Sequence, residues 1–402
     1  MPPSSPMSPR GFFTAPLWLA GFRPFFLLAL IAGAVYPPLW ALVFSGAVAL
    51  PAAGLTPLQW HAHEMLFGFG WAVLGGFLLT ASKNWVGVRG LHGGPLALAA
   101  ALWLAERVLI FHFPALTDST PWPLRAAVLA AASLPVLGVG GYVLWTLVRY
   151  RRQDSFKDNG FFIAALPLLL AAKLMLLLPP WVTEGRMLAI GLFRLAFVVM
   201  FERTLTQFMK NTAGVTLFRH PALDWPIKGL MLLAAFAGFL PPAVAAAVMT
   251  AAGLLLLYRF GRWHPLAGLR RFDTGIMYVG YLGLSANLFA EALRLSGVFP
   301  AIGSLSVHIF TFVCMGLVIP GMLVRISQGH TGRRIVFTAT DKAAISLMGA
   351  GAVLRLVATQ LWPQHYGLWI DLSALAWSGC FLGIGLRLAP MLWQARVDGR
   401  EL

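Results

Sequence analysis

Trp60–Phe67 reads WHAHEMLF and opens an apolar segment with two histidines, a glutamate and a methionine. Burying such groups in hydrocarbon costs free energy unless something binds them. His61 and Met65 are four residues apart and share a helix face. His61 and His63 point about 200° apart on a helix, so they serve different surroundings. A third histidine, His308, lies near the start of another apolar segment. Two neutral imidazoles from different helices suit a haem iron with two axial ligands. An imidazole with a nearby thioether suits copper. One arrangement turns His63 into the bundle towards His308 and leaves His61, with Met65, for a second metal or a loop. Glu64 is then expected to orient a ligand histidine. The ordinary alternative is that such histidines bind headgroups, water or loops.

The segments carrying these residues follow from composition. Of 402 residues, 59% are hydrophobic and 11% charged, against about 25% charged in soluble proteins. Apolar runs long enough to cross a bilayer recur throughout. They predict twelve helices, over 24–48, 57–81, 95–113, 122–148, 159–179, 184–209, 225–241, 243–260, 273–296, 300–324, 340–361 and 367–393. Strand signals are absent. The expected fold is an all-α, polytopic transmembrane bundle. It comprises a disordered Pro/Ser-rich tail over 1–15 and one twelve-helix domain over 16–402.

A net charge of +16 raises the possibility of nucleic acid, but the basic residues do not form one face. They concentrate in alternate loops, for example Arg149, Arg151 and Arg152, then Arg259, Arg262, Arg270 and Arg271. That is the positive-inside pattern. It places both termini in the cytoplasm and His61, His63 and His308 in the outer half of the membrane. Cys314 and Cys380 fall inside apolar segments and read as reduced core residues.

Other ionisable residues inside the segments are Glu106, Arg107, Lys173, Arg194, Glu202, Arg203, Glu291, Arg294, Arg355 and Asp371. Glu291 and Arg294 are spaced to pair on one helix face. Adjacent Glu106 and Arg107 need partners elsewhere. If a haem is bound, Arg107, Arg294 or Arg355 are placed to neutralise its propionates. Internal salt bridges that fix the bundle are the competing reading. No Ser-His-Asp order, HExxH motif or dinucleotide fingerprint occurs, and RISQGHTGR (Arg325–Arg333) lacks the spacing of a phosphate loop.

The blocks GFRPFF, HAHEMLFGF, GFLLTASKNW, HIFTF and RISQGHTGR together resemble the NnrS family of bacterial membrane proteins. The resemblance implies about a dozen spans in the inner membrane, haem of b type with copper as a candidate second metal, and a role in the response to nitric oxide. It carries over His61, His63, Glu64, His308, Arg203, Asn211, Arg325, His330 and Arg333 as family-motif positions. FERTLTQFMKN (Phe201–Asn211) departs from the family pattern, which tends to have a glycine pair, a proline and a threonine there.

The leading expectation is therefore a membrane haem protein that binds or removes nitric oxide, an oxidoreductase if it turns the gas over. A full haem-copper oxidase centre needs more histidines than the outer layer offers. The alternative is a proton-coupled secondary transporter of a small molecule, which twelve spans and buried carboxylates also fit.

Overall fold

In a computed structural model, the structure describes residues 11–51, 54–116, 119–299 and 304–400. Residues 1–10 of the expected tail and 300–303 of the expected tenth span lie outside these. Gly11 precedes a single 3-10 turn, Phe12–Thr14.

Each predicted segment corresponds to a helix. They are α1 (Phe22–Phe44), α2 (Pro57–Val86), α3 (Gly93–Phe111), α4 (Trp122–Arg149), α5 (Gly160–Leu177), α6 (Val182–Ala213), α7 (Pro221–Ala235), α8 (Pro242–Arg262), α9 (Phe272–Leu295), α10 (Leu305–His330), α11 (Ala339–Leu361) and α12 (Tyr366–Trp393). No strand occurs among the described residues. Ten of these helices are long and apolar enough to cross a membrane, and the protein is a polytopic helical membrane bundle. The two outside that set are α6 and α7. α6 runs for 32 residues and carries Glu184, Arg186, Arg194, Glu202, Arg203 and Lys210. α7 has 15 residues and stops at Ala235, earlier than the sequence suggested. Pro242, in the first turn of α8, makes the break between α7 and α8 real, because proline starts a helix at no hydrogen-bond cost.

Close packing sets the helix order. Ser378 on α12 donates to Ala34 O on α1 at 2.6 Å. A Cβ on Gly33 would meet the Phe381 ring at 2.6 Å, so only glycine lets α1 and α12 approach this closely. The first and last helices thus close the bundle on itself. One continuous buried core runs from Leu17 to Leu392, and Cys314 and Cys380 are free thiols within it.

Two features aim side chains inward. The start of α2 is pinned by a reciprocal cap: Gln59 N donates to Thr56 Oγ1 at 3.2 Å, and Thr56 N donates to Gln59 Oε1 at 2.9 Å. Pro57 follows at the first helical position. The cap fixes the helix two residues before His61. Three helices then widen into π-helical turns: Glu64–Gly70 in α2, Ile309–Met315 in α10 and Leu354–Ala358 in α11. Such turns insert a residue, shift the register of every following side chain, and are concentrated at functional sites. Two of the three begin within three residues of His61 or His308.

Candidate functional site

A cavity of about 470 Å³ lies where α2, α6, α9, α10, α11 and α12 meet. His61 and Met65 enter it from α2, and His308 enters from α10. The His61 ring stacks on Trp40 of α1, with centroids 4.2 Å apart and planes 18° apart, which fixes its plane. His308 Nδ1 lies 2.6 Å from Ser304 O. A carbonyl only accepts, so Nδ1 carries the proton and Nε2 keeps its lone pair. Arg355 lies within electrostatic reach of both histidines, and His61 within reach of His308. All three π-helical turns contribute to the wall, through Met65, Thr311 and Arg355 among others.

The wall is unbalanced in charge. It contains Arg186, Arg194, Arg294 and Arg355, but a single acid, Glu291. Arg294 Nη2 donates to Glu291 Oε1 at 2.5 Å, as the spacing suggested, and Ser306 donates to Glu291 Oε2 at 2.6 Å. Arg355 Nη2 donates to Ser304 Oγ at 3.3 Å, and its guanidinium lies 5.5 Å from the Tyr366 ring centre. Arg194 is 3% exposed, and its buried Nε has no hydrogen-bond partner among the described residues. Glu291 is the acid within electrostatic reach of Arg194 and is shared with Arg294, so the wall carries more positive than negative charge.

His63 does not line this cavity. It is fully buried on another face of α2, with Nδ1 3.1 Å from Glu64 Oε1 and Nε2 3.5 Å from Glu106 Oε1. Arg107 Nη1 donates to both Glu64 oxygens, at 2.9 and 2.8 Å. Glu106 also pairs with Arg107 and with Lys173 of α5. Two carboxylates therefore balance two cations around one imidazole. Facing His308 across the cavity is His61 rather than His63, and Arg107 is committed to this network instead of the cavity wall. Glu64 holds His63 and Arg107, not His61. Among the described residues, no three His, Cys, Asp or Glu side chains converge as a metal cluster.

The remaining motif residues lie at the other end of the bundle. Arg325 is 17 positions beyond His308, roughly 25 Å along α10. It donates to Asp273 Oδ2 at 2.8 Å and covers the Phe208 ring at 3.8 Å. His330 packs on Phe22 at 5.4 Å, and Arg333 donates to Gln394 Oε1 at 2.7 Å. Arg203 donates to Asp158 Oδ1 at 2.6 Å, while Asn211 is exposed. Glu202, in the departing segment, gathers Arg219, Lys228 and Arg259. These contacts tie helix ends together.

Arg186 was not foreseen, although it is detectable. It stands eight residues before Arg194 on α6, about two turns, so both arginines face one way. No curated protein matches the chain. The family profile described as NnrS protein matches residues 16–396. That covers nearly the whole sequence, and the protein belongs to the NnrS family.

Proposed function

We propose that the protein is a membrane haem protein acting on nitric oxide, with the haem in the cavity shared by His61 and His308. The observation that carries this reading is the pairing of two imidazoles with an excess of arginines around about 470 Å³ of largely apolar space. A haem is a flat apolar ring with two carboxylates, and each part has a counterpart in the wall. His61 and His308 would hold the iron. The Ser304 carbonyl that holds His308 Nδ1 is the kind of outer partner that ligating histidines keep. Arg194 and Arg355 would receive the propionates, with Arg186 in support. When bound, the iron supplies reversible binding of a small gas or one-electron chemistry upon it.

The residues of the chain do the rest. Trp40 keeps the His61 ring in plane. Phe69, Phe312 and Trp377 supply apolar wall, and this excludes water from a neutral gas. The positive-inside pattern supports a cavity in the outer half of the membrane, within reach of a lipid-soluble gas. Copper held by His61 and Met65 is the competing occupant, since both side chains share the wall.

The test is metal and haem content of detergent-purified protein, with the absorption spectrum before and after nitric oxide. About one haem per chain and a nitric oxide-dependent Soret shift support the reading. Copper without haem supports the competitor, and protein free of both from haem-replete cells turns attention to transport.

A further inference from the structure

A second pocket, of about 80 Å³, adjoins the cavity between α1, α2, α6, α9 and α10. Met315 lines both. Val73, Phe77, Phe193, Ala196, Met200 and Met322 make up much of its wall. Thr204 brings the only side-chain hydroxyl, and it is already donated to Met200 O at 2.7 Å.

This chemistry selects the occupant. A buried water needs two to four polar partners, and the pocket offers no free donor. An ion would be stripped of hydration with nothing in return. An apolar space without polar partners does not hold water and takes xenon or small hydrocarbons. The volume suits one or a few diatomic molecules and is far too small for a macrocycle. Met315 is an unbranched thioether with three rotatable bonds, so it can move aside without breaking a hydrogen bond.

We propose that this pocket is a docking site for a small apolar gas molecule, which exchanges with the large cavity past Met315. The identity of the gas as nitric oxide rests on the proposed function; the docking site does not. The pocket holds a neutral gas one side chain, Met315, away from the large cavity while offering protons and ions no group to rest on.

Xenon is the probe, located in crystals under xenon pressure and titrated by xenon NMR in detergent. The wild type should bind xenon between Phe193 and Met322. Val73→Phe fills the pocket, and Ala196→Phe replaces it should the first variant fail to fold. Each filled variant should lose the xenon, keep its haem content and bind nitric oxide severalfold more slowly. Absence of xenon from the wild-type pocket overturns the proposal, as does an acyl chain occupying it. An unchanged nitric oxide rate in a variant that has lost xenon also overturns it. A haem-free protein that still takes xenon there upholds the docking site and removes only the haem reading.

Discussion

His61 and His308 face one cavity from α2 and α10, while His63, two residues from His61, is turned away into a buried network with Glu64 and Glu106. The helical turn between the two histidines of HAH separates two jobs. His63→Ala should keep full haem content and lower stability by about 1–3 kcal/mol, through the lost hydrogen bond and the space left behind. Thermal unfolding and haem quantification on the same preparation check this. Loss of haem with unchanged stability would exchange the roles of the two residues.

Arg194 is buried, its Nε makes no hydrogen bond among the described residues, and the acid within its electrostatic reach, Glu291, is already paired with Arg294. Arg194→Met should raise the unfolding temperature of haem-free protein, because it removes a buried cation whose Nε is unsatisfied and which shares one acid with Arg294. The same change should weaken haem retention about tenfold, the loss of one charge-assisted contact worth ~1.5 kcal/mol. Haem transfer to an apo-globin acceptor measures the second effect. Equal destabilisation of both forms would assign Arg194 a packing role only.

The network around His63 is balanced, so breaking one side should cost more than removing a pair. Glu106→Gln strands Lys173, while Arg107 keeps Glu64, and should destabilise by about 3–5 kcal/mol. Adding Lys173→Met should recover much of that loss, giving a coupling well above what distant sites show. Additive losses in the double variant would mean that Glu106 and Lys173 do not act on each other.

Outside the spans, Asp158 sits just before α5 and receives Arg203 Nη2 at 2.6 Å and Lys228 Nζ at 3.3 Å. Burial pushes its carboxyl up, but Arg203 and Lys228 outweigh this and hold it below the usual carboxylate range. A depressed carboxylate stabilises the fold above its unfolded pKa of about 4 and loses that contribution as pH falls through the folded value. Asp158→Asn should therefore cost about 2 kcal/mol at neutral pH. The gap from wild type should narrow once the pH drops below about 4. A gap constant with pH would show that the ion pairs contribute nothing to stability.

Helix positions were legible because hydropathy and proline spacing fix them locally: Thr56-Pro57 begins α2, and Pro242 begins α8. The pairing of Glu291 with Arg294 was legible from their spacing. Which histidine meets His308 was not. Each residue turns a helix by about 100°, so the rotation of α2 about its axis decides between His61 and His63. Packing against α1, through the Trp40 ring, sets that rotation. The π-helical turns add a register shift with no mark in a single sequence. Long-range partners such as Lys173 for Glu106 depend on helices meeting in space, which spacing along one segment cannot give.

In the proposed function, His61 and His308 hold haem iron. Its most direct test is the absorption spectrum, oxidised and dithionite-reduced, of wild type beside His61→Ala, His63→Ala and His308→Ala, each purified from haem-replete cells. The account predicts a Soret band in wild type and His63→Ala, and its loss or conversion to a different ligation state in the other two. An unaltered spectrum in His61→Ala and His308→Ala, or a colourless wild type, would contradict it.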